Sequence, residues 1–241
     1  MIMKIAVITP YFNEDLDTLA RCHKSVLSQT YAQVDHVMVS DGNPNSELDK
    51  WNLKHIRIPN TNDYGDTPRC LGALYAYSAG YDGICFLDAD NWFETNHVTL
   101  MTWLQGCDTA DVVTATRTLR REDGSVLGVC KESDGQSFND TNCYLIMRQA
   151  IPVVQSVLFK HKDNAIIGDR VLWRAILDAK FKLARCTTPT VNYTTLFAVH
   201  YAERGEEPPA NAKVIAKFPS DSALRMYSYS EYKAAIDALR Q

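Results

Sequence analysis

Several features are missing from this chain, and each absence excludes a class of function. The 241 residues contain no block of Lys or Arg, and 29 acidic side chains outnumber 25 basic ones for a formal charge of −4. A nucleic-acid surface needs a concentrated basic footprint, so no nucleic-acid partner is expected. There is no Cys-x-x-Cys pair. The seven cysteines (Cys22, Cys70, Cys85, Cys107, Cys130, Cys143 and Cys186) are scattered through apolar segments, which predicts reduced core thiols, no zinc site and a cytoplasmic compartment. No apolar run reaches the ~20 residues that a bilayer span needs. The first, residues 5–8, stops at Thr9-Pro10 and is too short for a signal peptide. The longest later one, residues 150–159, is broken by Pro152, Gln155 and Ser156. The expectation is a soluble protein with no transmembrane segment, whose only membrane contact would be peripheral. Glycine-rich phosphate cradles are missing too: no Gly-x-Gly-x-x-Gly follows the first apolar run, and no Gly-Lys-Ser/Thr occurs. A bound nucleotide would have to be held by side chains and a metal.

What is present reads as an ordinary globular core, with 46% hydrophobic and 22% charged residues. Residues 4–9 form a nearly continuous apolar run, the pattern of a strand buried on both faces. Asp15 caps a helix from about Leu16 that turns Leu16, Leu19, His23, Val26 and Leu27 inward. Strands follow at residues 35–40, 56–58 and 83–87. Between the last two, Thr67 and Pro68 open a helix as cap and first residue, and Thr95 caps another. This alternation predicts an α/β domain with a mostly parallel sheet covered by helices. Asp123-Gly124 lies between runs 111–119 and 126–130 and predicts a hairpin. Helices are expected over 148–159, 168–179 and 230–240, with an irregular stretch over 181–217.

Ligands of open α/β sheets sit beyond the carboxyl ends of the strands. Thr9, Pro10, Tyr11, Asn13 and Glu14 lie there after the first strand, Asp41 after the second, and Asp88-Ala89-Asp90 after the fourth. Tyr11 offers a ring to stack on a base, Asp41 an acceptor for a base N–H, and Arg69 a cation for phosphate. In extended geometry Asp88 and Asp90 point to one side, and their hard oxygens suit Mn²⁺ or Mg²⁺. Alone, the same pair reads as a polar strand exit.

The segment Ile5-Ala6-Val7-Ile8-Thr9-Pro10-Tyr11-Phe12-Asn13-Glu14 resembles the opening of family 2 glycosyltransferases of the GT-A fold. Ser25-Val26-Leu27-Ser28-Gln29-Thr30, Val39-Ser40-Asp41-Gly42 and Phe86-Leu87-Asp88-Ala89-Asp90 are similar to later family segments, in the same order. Ile167-Gly168-Asp169-Arg170, followed by Trp173-Arg174, looks like the segment that carries the family's catalytic base. The likeness covers residues 4–185. Departures are Ser40, where the family often has a second Asp, and Asn43-Pro44 in place of the usual Ser. The Gln-x-x-Arg-Trp motif of processive members is absent, which implies a non-processive enzyme.

The resemblance implies one domain over 1–241, with a nucleotide-binding half (1–107), an acceptor-side half (108–217) and a helical tail (218–241). It implies donor binding by Thr9, Pro10, Tyr11, Glu14, Asp41, Arg69, Asp88 and Ala89, with Asp90 on the metal. Asp169 would be the catalytic base, although by itself it reads as a helix N-cap, a position that would hold it ionised and weakly basic. Related enzymes bring a C-terminal His to the metal or diphosphate, a role for His200, which otherwise reads as structural. His23, His36, His55, His97 and His161 read as structural; Trp103, Trp173 and Tyr144 read as core. The implied reaction is inverting transfer from a nucleotide diphosphate sugar, UDP before GDP, to the hydroxyl of a carbohydrate or other acceptor, in the assembly of envelope polysaccharides. A sugar-phosphate nucleotidyltransferase and a non-catalytic sugar-nucleotide-binding scaffold are the alternatives. The former should carry a glycine-rich basic loop where this chain has residues 9–14, which hold no Gly or Lys.

Overall fold

The computed structural model describes residues 2–160 and 167–214. The expected helix over 230–240, the tail 218–241 and His161 lie outside the described residues. The elements are β1 (Ile5–Tyr11), α1 (Leu16–Leu27), β2 (Val34–Asp41), β3 (Lys54–Ile58), α2 (Asp66–Ser78), β4 (Gly83–Phe86), β5 (Trp92–Phe93), α3 (His97–Asp108), β6 (Val112–Arg120), β7 (Val126–Val129), β8 (Tyr144–Met147), α4 (Gly168–Asp178), β9 (Leu183–Thr194) and α5 (Ala198–Ala202).

All seven residues of β1 are buried because both faces of the sheet are covered. Its side chains alternate between two cores, as a period of two requires. Ala6 and Ile8 pack with Ala73 and Ala76 of α2 and with Leu172 and Ile176 of α4. Ile5 and Val7 pack on the other face with Cys22 and Val26 of α1 and with Val98 and Met101 of α3. The strand order is β3-β2-β1-β4-β8-β6-β9-β5, with β7 paired to β6.

The parallel arrangement holds for β3-β2-β1-β4 and then stops. β8 enters antiparallel between β4 and β6, β6 runs parallel to β9, and β5 closes the order antiparallel to β9. The expected hairpin is present as β6-β7. The sequence reading missed β5, β8 and β9. In β8 all four residues, Tyr-Leu-Ile-Met, are buried, and so short an apolar run carries no period to separate strand from helix.

Local corrections have similar causes. Asp15 caps α1 as expected, accepting from the Thr18 N–H at 2.9 Å. Leu16 and Leu27 stay 39% and 53% exposed, and Cys22 takes the inward position between Leu19 and Val26. α2 starts earlier than Thr67: Gly65 precedes it with φ +83°, and Thr67 instead donates from its N–H to Asp63 at 2.9 Å. α3 begins two residues beyond Thr95 with no side-chain cap. Ile151–Phe159 is a 3₁₀ helix rather than an α-helix. Trp173 and Tyr144 are buried as expected, but Trp103 is 62% exposed.

No described helix is long and apolar enough to cross a membrane. All seven cysteines are unpaired, and only Cys107 is exposed. Burial pushes the Cys22, Cys70 and Cys85 thiols up to about 12, which keeps them as unreactive thiols. A thiol reagent should therefore titrate one group in the native protein and seven after denaturation. Fewer than seven would reveal a disulfide and contradict the fold as described.

Candidate active site

β1, β2 and β4 end side by side, and beyond their carboxyl ends lies a cleft of ≈ 560 Å³. It collects nearly every site residue expected from the sequence: Pro10, Tyr11, Glu14, Asp41, Arg69, Asp88, Ala89, Asp90, Asp169 and His200 all line it. Thr9 is the exception. Its side chain is fully buried behind the cleft, bonded to His36 Nε2 at 2.9 Å, and supports the floor.

Tyr11 lines the cleft, but its ring is packed among Leu19, Met38, Leu48 and Ala89 and is 3% exposed. Its hydroxyl is tied to His55 Nε2 at 2.7 Å and accepts from the Asn45 N–H at 3.0 Å. The rings that stand open at the cleft are instead Phe12 and Tyr64, 39% and 69% exposed. Asp41, the last residue of β2, is locked by Thr61, whose N–H and Oγ1 donate to Oδ1 at 2.7 and 3.0 Å.

Arg69 rises from the first turn of α2. Gly65 permits this: it holds φ +83°, and a Cβ there would meet Arg69 Nη1 at 3.1 Å. The guanidinium pairs with Asp88 and lies 3.6 Å from Asp66. Burial works against its charge, but Asp88 and Asp66 outweigh burial and hold its pKa above the ordinary arginine value.

Asp88 and Asp90 do not sit on an extended strand. β4 ends at Phe86, and the two aspartates belong to the turn beyond it. The turn separates their duties. Asp88 is neutralised by Arg69 and by Asn142, whose Nδ2 donates to Oδ2 at 2.8 Å. Burial alone would raise its pKa, but those partners bring it below the ordinary value. Asp90 is fixed through its backbone carbonyl, which accepts from Arg21 and Thr194 at 2.7 Å each. No other described residue donates to its carboxylate, which is exposed on the cleft floor. The surrounding protein, then Asp88 and Glu14, raise its pKa to about 7.

Asp169 is not the N-cap of α4. Ile167 holds that place, and Asp169 lies inside the first turn, its Oδ1 accepting from the Arg170 N–H at 2.7 Å. The expectation of an ionised, weakly basic carboxylate is corrected accordingly. Burial, followed by Asp140, raises its pKa to about 7 against the opposing effect of Arg170 and Arg117. The start of α4 touches the start of α2 at Gly168, where a Cβ would come within 2.5 Å of both Asp66 carboxylate oxygens. Asp66 also pairs with Lys160.

His200, on α5, is buried with Nδ1 2.6 Å from Thr195 Oγ1 and Nε2 4.0 Å from Glu132. Burial, then Arg117 and Arg204, lowers its pKa to about 4, leaving a neutral imidazole. Among the described residues no three His, Cys, Asp or Glu side chains form a ready-made metal cluster.

Several lining residues went unread in the sequence. Arg117, 3% exposed in β6, pairs with Asp140 at 2.5 Å, and its Cζ lies 3.9 Å from the centre of the Tyr193 ring. A lone Arg in the apolar alternation Val113-Ala115-Arg117-Leu119 is the signal that could have found it. Arg170 pairs with Glu132 at 2.5 Å. Asn142 joins the two ends of the site: its Nδ2 also donates to Asp140 at 2.8 Å, and its Oδ1 accepts from the Asp88 N–H at 2.5 Å.

This is a GT-A-type α/β domain, with acidic and basic groups gathered where the parallel strands end. The sequence model for glycosyl transferase family 2 matches residues 6–149, and the chain belongs to that family. Glycosyltransferase GlyA of Streptococcus pneumoniae serotype 4 is 30% identical over 101 residues, 39% of this chain and 14% of that protein. The structure is similar to S. aureus TarS 1-349 in complex with UDP, with a TM-score of 0.61 at 14% identity, covering 84% of this chain and 63% of that one. For TarS 1-349 in complex with UDP-GlcNAc the TM-score is 0.59 at 16% identity, over 80% and 59%. The chain thus spans less than two thirds of each.

Proposed function

We propose that the chain transfers a sugar from a nucleotide diphosphate donor to an acceptor hydroxyl by inverting, non-processive, single displacement. The observation that carries this reading is the cleft itself. It holds Asp41, Arg69, Asp88 and Asp90 beside Asp169, a carboxylate with raised proton affinity that, among the described residues, has no cationic side chain bound to it. UDP as the nucleotide bound by the TarS structures is consistent with it.

On the donor side, Asp41 accepts the N3–H of a uracil ring, which makes UDP the preferred nucleotide, and Phe12 and Tyr64 are the rings free to stack. Asp88, held by Arg69 and Asn142, faces the ribose and phosphate region. Asp90 fits a divalent cation, since it is an unpartnered carboxylate crowded by Asp88 and Glu14. Asp90 and the neutral His200 are the protein groups that would hold Mn²⁺ or Mg²⁺. Such an ion neutralises charge developing on the leaving diphosphate.

On the acceptor side, Asp169 takes the proton as the acceptor hydroxyl attacks the anomeric carbon, through an oxocarbenium-like transition state. The neighbouring carboxylates are claimed by cations: Glu132 by Arg170, Asp140 by Arg117 and Asp66 by Lys160. Among the described residues, the carboxylates beside Asp169 are thus paired with cations, which leaves Asp169 as the free base on that side and supports inversion. A carbohydrate hydroxyl, in polysaccharide assembly, is the proposed acceptor. Seven unpaired cysteines support a reducing, cytoplasmic setting.

Incubation with a panel of nucleotide sugars, with and without Mn²⁺, tests the reading. Slow release of UDP from one UDP-sugar, accelerated by metal, is the expected result. UDP binding without turnover of any donor would instead establish a scaffold.

A further inference from the structure

Among the described residues, eight carboxylates and four cationic side chains line the cleft, an excess of negative charge that a diphosphate must enter. A divalent ion at Asp90 cancels only part of it. Of the four cations, Arg69, Arg117 and Arg170 are committed to Asp88, Asp140 and Glu132. Lys213 differs: among the described residues no carboxylate pairs with its ammonium group.

Its place is set by the chain around it. The Lys213 N–H donates to the Leu196 carbonyl at 2.7 Å, and its own carbonyl accepts from the Ala198 N–H at 3.0 Å. These bonds form an isolated bridge between Lys213 and Phe197, at the start of α5. The loop leading to it is pinned as well, by Arg121 on Glu206 at 2.7 Å and by Arg204 on the Val129 carbonyl at 2.6 Å. An anchored strap therefore returns the chain to the cleft mouth and presents one exposed lysine there. Its Nζ lies 5.8 Å from the centre of the Phe197 ring, close enough for a weak attraction but not for a salt bridge's hold. The ammonium charge is felt at Asp90, where it opposes the push from Asp88 and Glu14.

We infer that Lys213 is a donor-binding residue that contacts the diphosphate of the nucleotide sugar, supplying the one cationic side chain of the described cleft not already neutralised by protein. The inference rests on the nucleotide-sugar reading of the cleft. A lysine suits the role because it is a mobile point charge that follows the diphosphate as it leaves, whereas an ion-paired arginine would first have to give up its carboxylate. Lys213 also lies far in sequence from the other donor groups, so loading the donor would tie the strap to the β1–β4 end of the sheet.

UDP and UMP are the probes, since only UDP carries the second phosphate. Equilibrium binding of both, at fixed Mn²⁺, is measured on the full chain and on its Lys213→Gln and Lys213→Arg variants. Lys213 is exposed, so melting temperatures should agree and confirm intact folds. The Gln variant should lose about tenfold in UDP affinity, the scale of one charge-assisted contact, with UMP changed less than about twofold. Arg should restore most of the UDP affinity. Unchanged UDP binding in the Gln variant, or parallel loss of UDP and UMP, overturns the role of Lys213 and leaves the donor reading intact. A wild-type chain that binds neither nucleotide overturns the donor reading, and the inference with it.

Discussion

Replacing Asp169 with Asn should leave the fold and UDP affinity intact while turnover falls by roughly 10²–10⁴-fold, the usual contribution of a general base. The two side chains are nearly the same size, and Asn keeps an oxygen to accept from the Arg170 N–H. What is lost is the ability to take a proton. Asp169 holds its proton up to about pH 7, so wild-type kcat/KM should fall as pH drops below about 7, and the Asn variant's residual activity should lack that limb. The stability effect has the opposite sign. A carboxyl whose folded pKa is raised favours the folded state below its unfolded pKa and loses that contribution as pH rises through about 7. Asn cannot ionise, so the variant should melt at or above the wild-type temperature at pH 8. Near-normal turnover in a stable Asn variant would refute the assignment. A lower melting temperature at pH 8 would show that the side chain serves the fold.

The second large effect is expected at Asp90. Asp90→Asn should lower UDP affinity and turnover by at least about 10²-fold at fixed Mn²⁺, in keeping with the several kcal/mol that metal stabilisation of a leaving phosphate supplies. A chelator should reproduce the loss in the wild type and add little in the variant, because both remove the same interaction. Calorimetry of UDP with and without Mn²⁺ separates the outcomes. Equal affinity with and without metal in the wild type would remove the metal from the proposal. It would leave Asp90 as a carboxylate that repels the diphosphate, and Asn should then tighten binding.

The sequence was most informative where a residue's position alone determines its role. β1 and β4 are nearly continuous apolar runs and β2 carries the shorter one Val37-Met38-Val39, and the polar residues that follow them must emerge at one edge of a parallel sheet, so the sequence already places Asp41, Asp88 and Asp90 there. Thr9 and Tyr11 show where this reasoning fails. Both lie at the end of β1, but α1 and the short 3₁₀ helix Ser46–Lys50 cover one face of that end, so Thr9 is sealed under α1 beside Cys22 and the Tyr11 ring is packed against Leu19 and Leu48. The second half was less legible because its strands are either very short, as β8 is, or irregular, as β9 is with register shifts against β6. The pairs Arg117–Asp140 and Arg170–Glu132 join residues 23 and 38 positions apart, a relationship that no local pattern records. The raised proton affinity of Asp169 is likewise a property of burial, whereas a place at a helix N-terminus alone would favour the ionised form.

β8 lies between β4 and β6, and Asn142, in the turn just before it, holds Asp88 and Asp140 with a single side chain. Residues 1–107 and 108–217 are therefore not separable modules. A graft of the first 107 residues onto another family member's second half would exchange β8, the antiparallel neighbour of β4, and the residue at position 142 that clamps Asp88. A seam after β8 keeps the β4–β8 pairing and the hold of Asn142 on Asp88 within one parent, so a chimera that preserves both should carry residues 1–147 intact.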